Sequence, residues 1–179
     1  MYYIKADKIE IIDNEIFLEL NQIGYKGICF DKETKNKKFF LYQLKSDYTD
    51  INYFSNDKQI IDLIRYLHKL SGIGETIVKQ LLSSYSYEDL KEDVKKYNIN
   101  SFLDKTPLKL MTVELLIDEL NKYFFNIKKT TKDKKVIETL KKLGYQTNQI
   151  YTAIQKVDKI NSIDEYIKNI IINISLNET

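Results

Sequence analysis

Leu70-Ser71-Gly72-Ile73-Gly74 is the stretch of this 179-residue chain whose residue types and spacing could do chemistry. Two glycines flanking one aliphatic residue make a tight turn whose backbone can approach another molecule closely. Apolar residues recur at helical spacing on both sides, with Ile60, Ile61, Ile64 and Leu67 before the turn and Ile77, Val78, Leu81 and Leu82 after it. The second segment begins with free amide hydrogens and a positive dipole end facing the turn. An anion is the natural guest, and a nucleic-acid phosphate is the commonest large one. The pattern is that of a helix–hairpin–helix; a plain corner between two helices is the alternative.

Other chemistry is poorly supplied. One cysteine, Cys29, permits no internal disulfide. With the single histidine, His68, it cannot build a conventional zinc site or a nucleophilic catalytic set. No Gly-x-x-x-x-Gly-Lys-Ser/Thr loop is present, so no ATPase site is expected, and no cofactor. The net charge is only +2, from 28 basic and 26 acidic residues. Arg65 is the lone arginine, which makes bidentate reading of guanine nearly unavailable. Contacts to DNA should therefore run through backbone amides and lysines and read shape more than sequence. No stretch approaches the ~20 apolar residues of a membrane span. The Met1–Asp7 segment lacks the layout of a signal peptide. A cytoplasmic, metal-independent, non-catalytic protein is expected.

The elements that must position the turn follow from patterning. Up to about Ser55 the chain reads as β, with alternation at Ile9/Ile11 and Ile16/Leu18/Leu20 around the turn Asp13-Asn14-Glu15. Gly24 to Phe30 form a third strand whose glycines mark a bend or a close approach. Phe39 to Leu44 and Ile51 to Phe54 supply two more. Five short strands fit a small closed barrel of the OB type, or a two-sheet sandwich. Ser55 or Asn56 is the expected cap of the first helix. A further helix opens at Ser86 and carries Leu90, Val94 and Tyr97; Phe102 and Leu103 precede a turn. Pro107 suits the first turn of the next helix, which has Leu110, Val113, Leu116, Ile117, Leu120 and Phe124 on one stripe. Residues 128–135 hold five lysines and no apolar anchor, so they read as a solvated tether, with non-specific phosphate contact as the alternative. Three short amphipathic helices follow, the first stopping at Gly144.

That order of parts resembles the RuvA family of Holliday-junction-binding subunits. Ile23-Gly24-Tyr25 is similar to the family's Val-Gly-Tyr strand, and Tyr53-Phe54-Ser55-Asn56 to the segment that closes its barrel. Ser71-Gly72-Ile73-Gly74 matches its first hairpin, Thr112 to Leu116 its Thr-Ala-Glu-Arg-Leu helix, and Leu140 to Tyr145 its Leu-Gly-Tyr signature. The resemblance implies an α+β multidomain protein in four parts. These are an OB-type barrel over 1–56, a tandem helix-hairpin-helix domain over 57–126, a flexible charged linker over 127–135 and a three-helix, ubiquitin-associated-like bundle over 136–179. It implies first-hairpin DNA contacts at Ser71, Gly72, Ile73, Gly74, Thr76 and Lys79.

Departures from the family pattern are equally legible. Where relatives carry a second Gly-Ile-Gly hairpin and two lysines, this chain has Pro107-Leu108-Lys109, then Leu110 and Met111, and Leu115 replaces an arginine. Neither glycine survives there, which leaves Lys105, Lys109 and Thr112 as the contacts of a degenerate second hairpin. Glu75 stands where relatives favour proline and would repel a phosphate. Of the family's two-acid pin only Asp47 remains, beside Ser46, and it also reads as an ordinary turn residue.

The resemblance further implies a homotetramer, or an octamer on DNA, gripping four-way junction arms by their phosphates in recombination and repair. The C-terminal bundle would dock the hexameric ATPase RuvB through Leu140, Leu143, Tyr145 and Ile171, some of which are also natural core positions. A RuvC-type resolvase is a further expected partner. The alternative is a protein-interaction adaptor with little junction specificity.

Overall fold

The computed structural model describes residues 2–31, 33–34, 36–47, 49–127, 129–157 and 162–176. Among them are six strands and eight helices, an α+β arrangement that divides into two compact units, residues 1–87 and 88–179.

The first unit is built on one sheet. Its strands are β1 (Tyr2–Lys5), β2 (Lys8–Ile12), β3 (Glu15–Leu20), β4 (Ile23–Cys29), β5 (Lys38–Ser46) and β6 (Thr49–Ser55), in spatial order β1-β5-β6-β4-β3-β2. Only β4 and β6 pair in parallel. The two edge strands, β1 and β2, are consecutive in the chain and separated by Ala6 and Asp7 alone. One face buries Ile4, Ala6, Ile16, Leu18, Cys29, Phe39 and Phe54 as a core. Burial pushes the Cys29 thiol up to about 12, with Asp31 adding to the rise. The strand expected from the glycines at 24 and 27 is present, and Gly27 answers a close approach. A Cβ there would lie 2.4 Å from the Asn52 carbonyl oxygen and 2.6 Å from the Phe54 ring. The pattern missed β1, where buried Ile4 between exposed Tyr3 and Lys5 makes too short a run to be detected.

Two helices complete this unit, α1 (Lys58–Leu67) and α2 (Glu75–Ser84). Asp57, not Ser55 or Asn56, caps α1, accepting from the Gln59 amide at 2.8 Å. The expected residues have other work. Ser55 Oγ donates to Asp31 at 2.6 Å, the Asn56 amide donates to the same carboxylate at 2.6 Å, and the Asp57 amide donates to Ser55 Oγ at 2.9 Å. The end of β6 is thereby fixed before α1 begins.

The second unit is helical. After α3 (Tyr87–Lys95), whose first residue still belongs to the first unit, the chain turns at Tyr97 (φ +49°) into α4 (Ile99–Lys105). Sequence patterning did not separate α4, because seven residues carry too little periodicity. Asn98 caps it, accepting from the Ser101 amide at 3.3 Å. Helix α5 (Leu110–Phe125) begins three residues after Pro107, so the proline lies in the turn rather than in the first helical turn. Left-handed Asn126 (φ +55°) ends it.

The charged run also differs from expectation. Thr131 to Lys135 open α6 (Thr131–Lys142), set by a capping box in which Thr130 and Asp133 bond each other's backbone. Lys129 is nearly buried, its side chain 12% exposed and ion-paired with Asp118 of α5. A reciprocal cap and a part-buried ion pair supply the anchors that an apolar count overlooks. Helices α7 (Thr147–Lys156) and α8 (Ile163–Leu176) pack with α6 around Val136, Leu140, Ile150, Tyr166 and Ile170.

Candidate nucleic-acid interface

The turn between α1 and α2 has the geometry its glycines call for. Gly72 sits at φ +82°, in the left-handed region, and Gly74 caps α2 in extended backbone with no side-chain cap bond. Between them Ile73 is 4% exposed and anchors the turn from below. Its amide donates to the Leu70 carbonyl at 3.2 Å, and the Val78 amide to that of Gly74 at 3.2 Å. Among the described residues, the amide hydrogens of Gly72, Gly74, Glu75 and Thr76 have no backbone acceptor. Ser71, Gly72, Gly74 and Thr76 are exposed. An α-carbon hydrogen where a side chain would stand, next to free donors at a helix start, is what a phosphate oxygen needs.

The sheet holds this turn in place. Tyr42 and Tyr53 face each other across β5 and β6, with ring centroids 6.1 Å apart. The His68 ring, at the end of α1, lies 5.8 Å from Tyr42 and 5.3 Å from Tyr53, and its Nε2 is 3.4 Å from the Tyr53 hydroxyl. Arg65, one turn back, places its guanidinium 5.5 Å over Tyr42 and bonds Asp62 at 3.3 Å. Burial holds His68 below its ordinary pKa, with Glu75 drawing it the other way. On the other side, Asn14 of the β2–β3 turn donates to Ser83 of α2 at 2.9 Å. Both helices flanking the turn are therefore tied to strands. Periodicity cannot report this cluster, since Tyr42, Tyr53, Arg65 and His68 meet only through tertiary packing. Exposed Lys69 was also missed, although its position two residues before Ser71 was a readable cue.

Charge at this turn is modest. Lys79 is ion-paired with Glu75 on the same helix, so the one cation expected to face a phosphate is half neutralised from within. Asp47 stands exposed at the β5–β6 tip and forms no ion pair among the described residues. Its neighbour Asp50 is engaged, accepting from Gln43 at 3.0 Å and lying 4.0 Å from Lys45.

In the second unit, the turn from α4 to α5 takes another form. None of residues 106–109 has a positive φ. Thr106 Oγ1 donates to the Phe102 carbonyl at 2.7 Å, and Leu108 is buried beneath the turn. Lys105 is held by Asp93 at 3.1 Å, on the carboxylate that also accepts from Asn98 and Ser101. Lys109 is exposed at the start of α5, and Thr112 is half-buried. Around them Leu103, Leu110, Met111 and Leu115 are exposed, Met111 by 83%. Among the described residues, this turn offers Lys109 without an ion pair and an apolar surface.

Of the expected partner contacts on the last helices, Leu140 is fully buried and belongs to the bundle core. Leu143 is 61% exposed, just before Gly144 (φ +92°) stops α6; Tyr145 and Ile171 are half-buried. Ile172 and Leu176 on α8 are also exposed. Among the described residues no group of acidic, histidine or cysteine side chains could hold a metal ion, and no helix is long and apolar enough to cross a membrane.

No family model matches the chain. Individual proteins do. It is 32% identical, over 97% of its length and 96% of the relative's, to the Holliday junction branch migration complex subunit RuvA of Mycoplasma capricolum subsp. capricolum. With the protein of the same name from Mycoplasma mycoides subsp. mycoides SC it shares 30% identity over the same fractions. With that of Fusobacterium nucleatum subsp. nucleatum the identity is 24%, over 91% of this chain and 92% of the other.

Proposed function

The chain belongs to the RuvA family, and we propose that it serves as the Holliday-junction-binding subunit of a branch-migration complex. The observation that carries this reading is the turn Leu70–Gly74, with Gly72 left-handed, Ile73 buried and the amides around Gly74 without a backbone acceptor among the described residues. DNA arms are gripped there by their phosphates, with Ser71, Thr76 and Lys69 beside the amides. The subunit is non-catalytic and cytoplasmic, and ATP-driven motion belongs to RuvB. An OB-type barrel is supported by the sheet order, since edge strands only two residues apart can both keep their partners if the sheet curls closed.

Four-fold assembly sets four Asp47 carboxylates around the junction centre, where they repel phosphates and keep arms apart. The α6–α8 bundle, read as ubiquitin-associated-like, meets RuvB through Leu143 and the exposed edge of α8. The degenerate second hairpin leaves the first to carry most arm contacts.

Gel shifts at low salt with four-way junction, duplex and single strand test the reading. The four-way junction should bind best. Gly74→Ala should weaken junction binding about tenfold, the worth of one or two amide–phosphate bonds. Its φ of −91° accommodates any side chain and nothing lies within 4 Å of the added carbon, so the fold is kept, at a cap cost of about 1 kcal/mol or less. Equal affinity for all three DNAs would overturn the reading. The exposed Leu110, Met111 and Leu115 favour a second one, an interaction adaptor, and that is the outcome equal or absent binding would support.

A further inference from the structure

The glycine turn hangs from the residue that ends α1. The His68 amide donates to the Ile64 carbonyl at 3.1 Å, and the next two fold back in the same way, Lys69 to Tyr66 at 3.1 Å and Leu70 to Leu67 at 3.0 Å. Ile73 then donates to Leu70 at 3.2 Å. The backbone from His68 to Ile73 is thus bonded at nearly every step, and whatever fixes the His68 ring fixes the donors of the turn. The sheet does so. Tyr53 of β6 is fully buried, and its hydroxyl lies 3.4 Å from His68 Nε2. The other ring nitrogen, Nδ1, is buried and has no hydrogen-bond partner among the described residues. The neutral ring therefore carries its hydrogen on Nε2 and donates it to the Tyr53 hydroxyl.

A second proton has no place there. Burying a lone pair costs far less than burying a cationic N–H that has neither acceptor nor water. The charged and titratable groups around the ring are Tyr42 on β5, Tyr53 on β6, Arg65 on α1 with its partner Asp62, and Glu75 on α2. Arg65 already occupies Tyr42, its guanidinium 5.5 Å from the ring centroid, so a cationic imidazole would meet a like charge across that ring. The two carboxylates are engaged elsewhere, Asp62 by Arg65 and Glu75 by Lys79. Burial keeps the His68 pKa below its ordinary value, in line with these contacts.

We propose that His68 is the positioning residue of the phosphate grip, holding the amides of Gly72, Gly74, Glu75 and Thr76 in place against the sheet while its ring is neutral. Uptake of a proton parts the ring from Tyr53 and lets the turn swing. The subunit then loosens its hold on a junction arm in mildly acid solution while the sheet stays folded. That trend runs against the ordinary one, in which a protonated histidine beside DNA strengthens binding through its added charge. The inference rests on the reading of this turn as the contact to DNA phosphates.

Junction affinity of the full chain, measured by fluorescence anisotropy at constant salt from pH 7.5 to 5.5, tests it, with circular dichroism confirming the folded state at each point. The wild type should weaken about tenfold across that range, the worth of one or two amide–phosphate bonds. His68→Gln, which can still reach the Tyr53 hydroxyl but takes up no proton, should bind more weakly than the wild type at pH 7.5 and keep the same affinity at pH 5.5. Tyr53→Phe removes the hydroxyl and keeps the ring, so it should weaken binding at pH 7.5 and shrink the pH response. A wild-type affinity that stays flat or rises as pH falls overturns the proposal without recourse to any variant. So does a His68→Gln profile as steep as the wild type's. Absence of any junction preference at pH 7.5 would strike the junction-binding reading and this inference with it, whereas junction binding that ignores pH strikes this inference alone.

Discussion

Lys79 is ion-paired with Glu75, one turn earlier on α2, at the mouth of the glycine turn. The carboxylate does two opposed things there. It stabilises the helix start through the dipole and repels a phosphate that would bind the same amides. Glu75→Gln should therefore lower stability by about 0.5 kcal/mol in thermal melts. It should also tighten junction binding about three- to tenfold at low salt, the gain fading as salt rises. A loss in both measurements would mean the pair orders the turn rather than restrains binding.

His68 makes the same turn sensitive to acid. Its folded-state pKa lies below the ordinary 6.5 because of burial, and Tyr42, Tyr53, Arg65 and Glu75 are the groups facing it. As pH falls through 6.5 the unfolded chain takes up its proton first, so stability present at neutral pH is lost between 6.5 and the lower folded value. Melting curves from pH 7.5 to 5 should show that loss. In His68→Gln the slope across this window should flatten.

Asp93 has the opposite sign. Burial raises its pKa, but hydrogen bonds from Ser101, Lys105 and Asn98 outweigh this and hold the carboxyl below its ordinary 3.8. Its contribution is complete above 3.8 and is lost as pH falls through the folded value. Asp93→Asn should remove that acid limb and cost about 1–2 kcal/mol at pH 7, read by urea denaturation. The loss should concentrate in α4, whose amides should exchange faster with solvent.

Gly27→Ala should be among the most damaging single changes, costing about 3 kcal/mol or more, because the new carbon collides with the Asn52 backbone and the Phe54 ring. Gly24→Ala, three residues away with nothing within 4 Å, should be neutral or slightly stabilising. Equal effects would place the strand differently from the register given above.

Features carried by local chemistry were readable in the sequence. The hairpin at Gly72 and Gly74, strands β2–β6 and the stop at Gly144 follow from glycine placement and alternation, and each stands where patterning put it. What escaped depends on distant partners. β1 exists because Tyr2 to Lys5 find β5 more than thirty residues later. The cap of α1 passed to Asp57 because Asp31, two residues past the end of β4, claims Ser55 and the Asn56 amide. The tether reading failed at Lys129 because lysine counts as solvated until an Asp118 and two tyrosine rings surround it. The cluster at His68 was out of reach for the same reason.

The sheet also dictates an order of events as the chain leaves the ribosome. Of its five strand pairings, β2–β3, β3–β4 and β5–β6 join neighbours in sequence, and the first two form as soon as those residues emerge. Every other pairing requires β5 or β6, so β1, although made first, waits unmatched until residue 41 and beyond are available. The glycine hairpin, tied to Tyr42 and Tyr53, is held back with it. Closure of the sheet is therefore a late, non-local and slow step, whereas α6–α8 close through short-range contacts. Nascent chains arrested with residue 46 just outside the exit tunnel should accordingly exert no folding force, and chains arrested past residue 84 should.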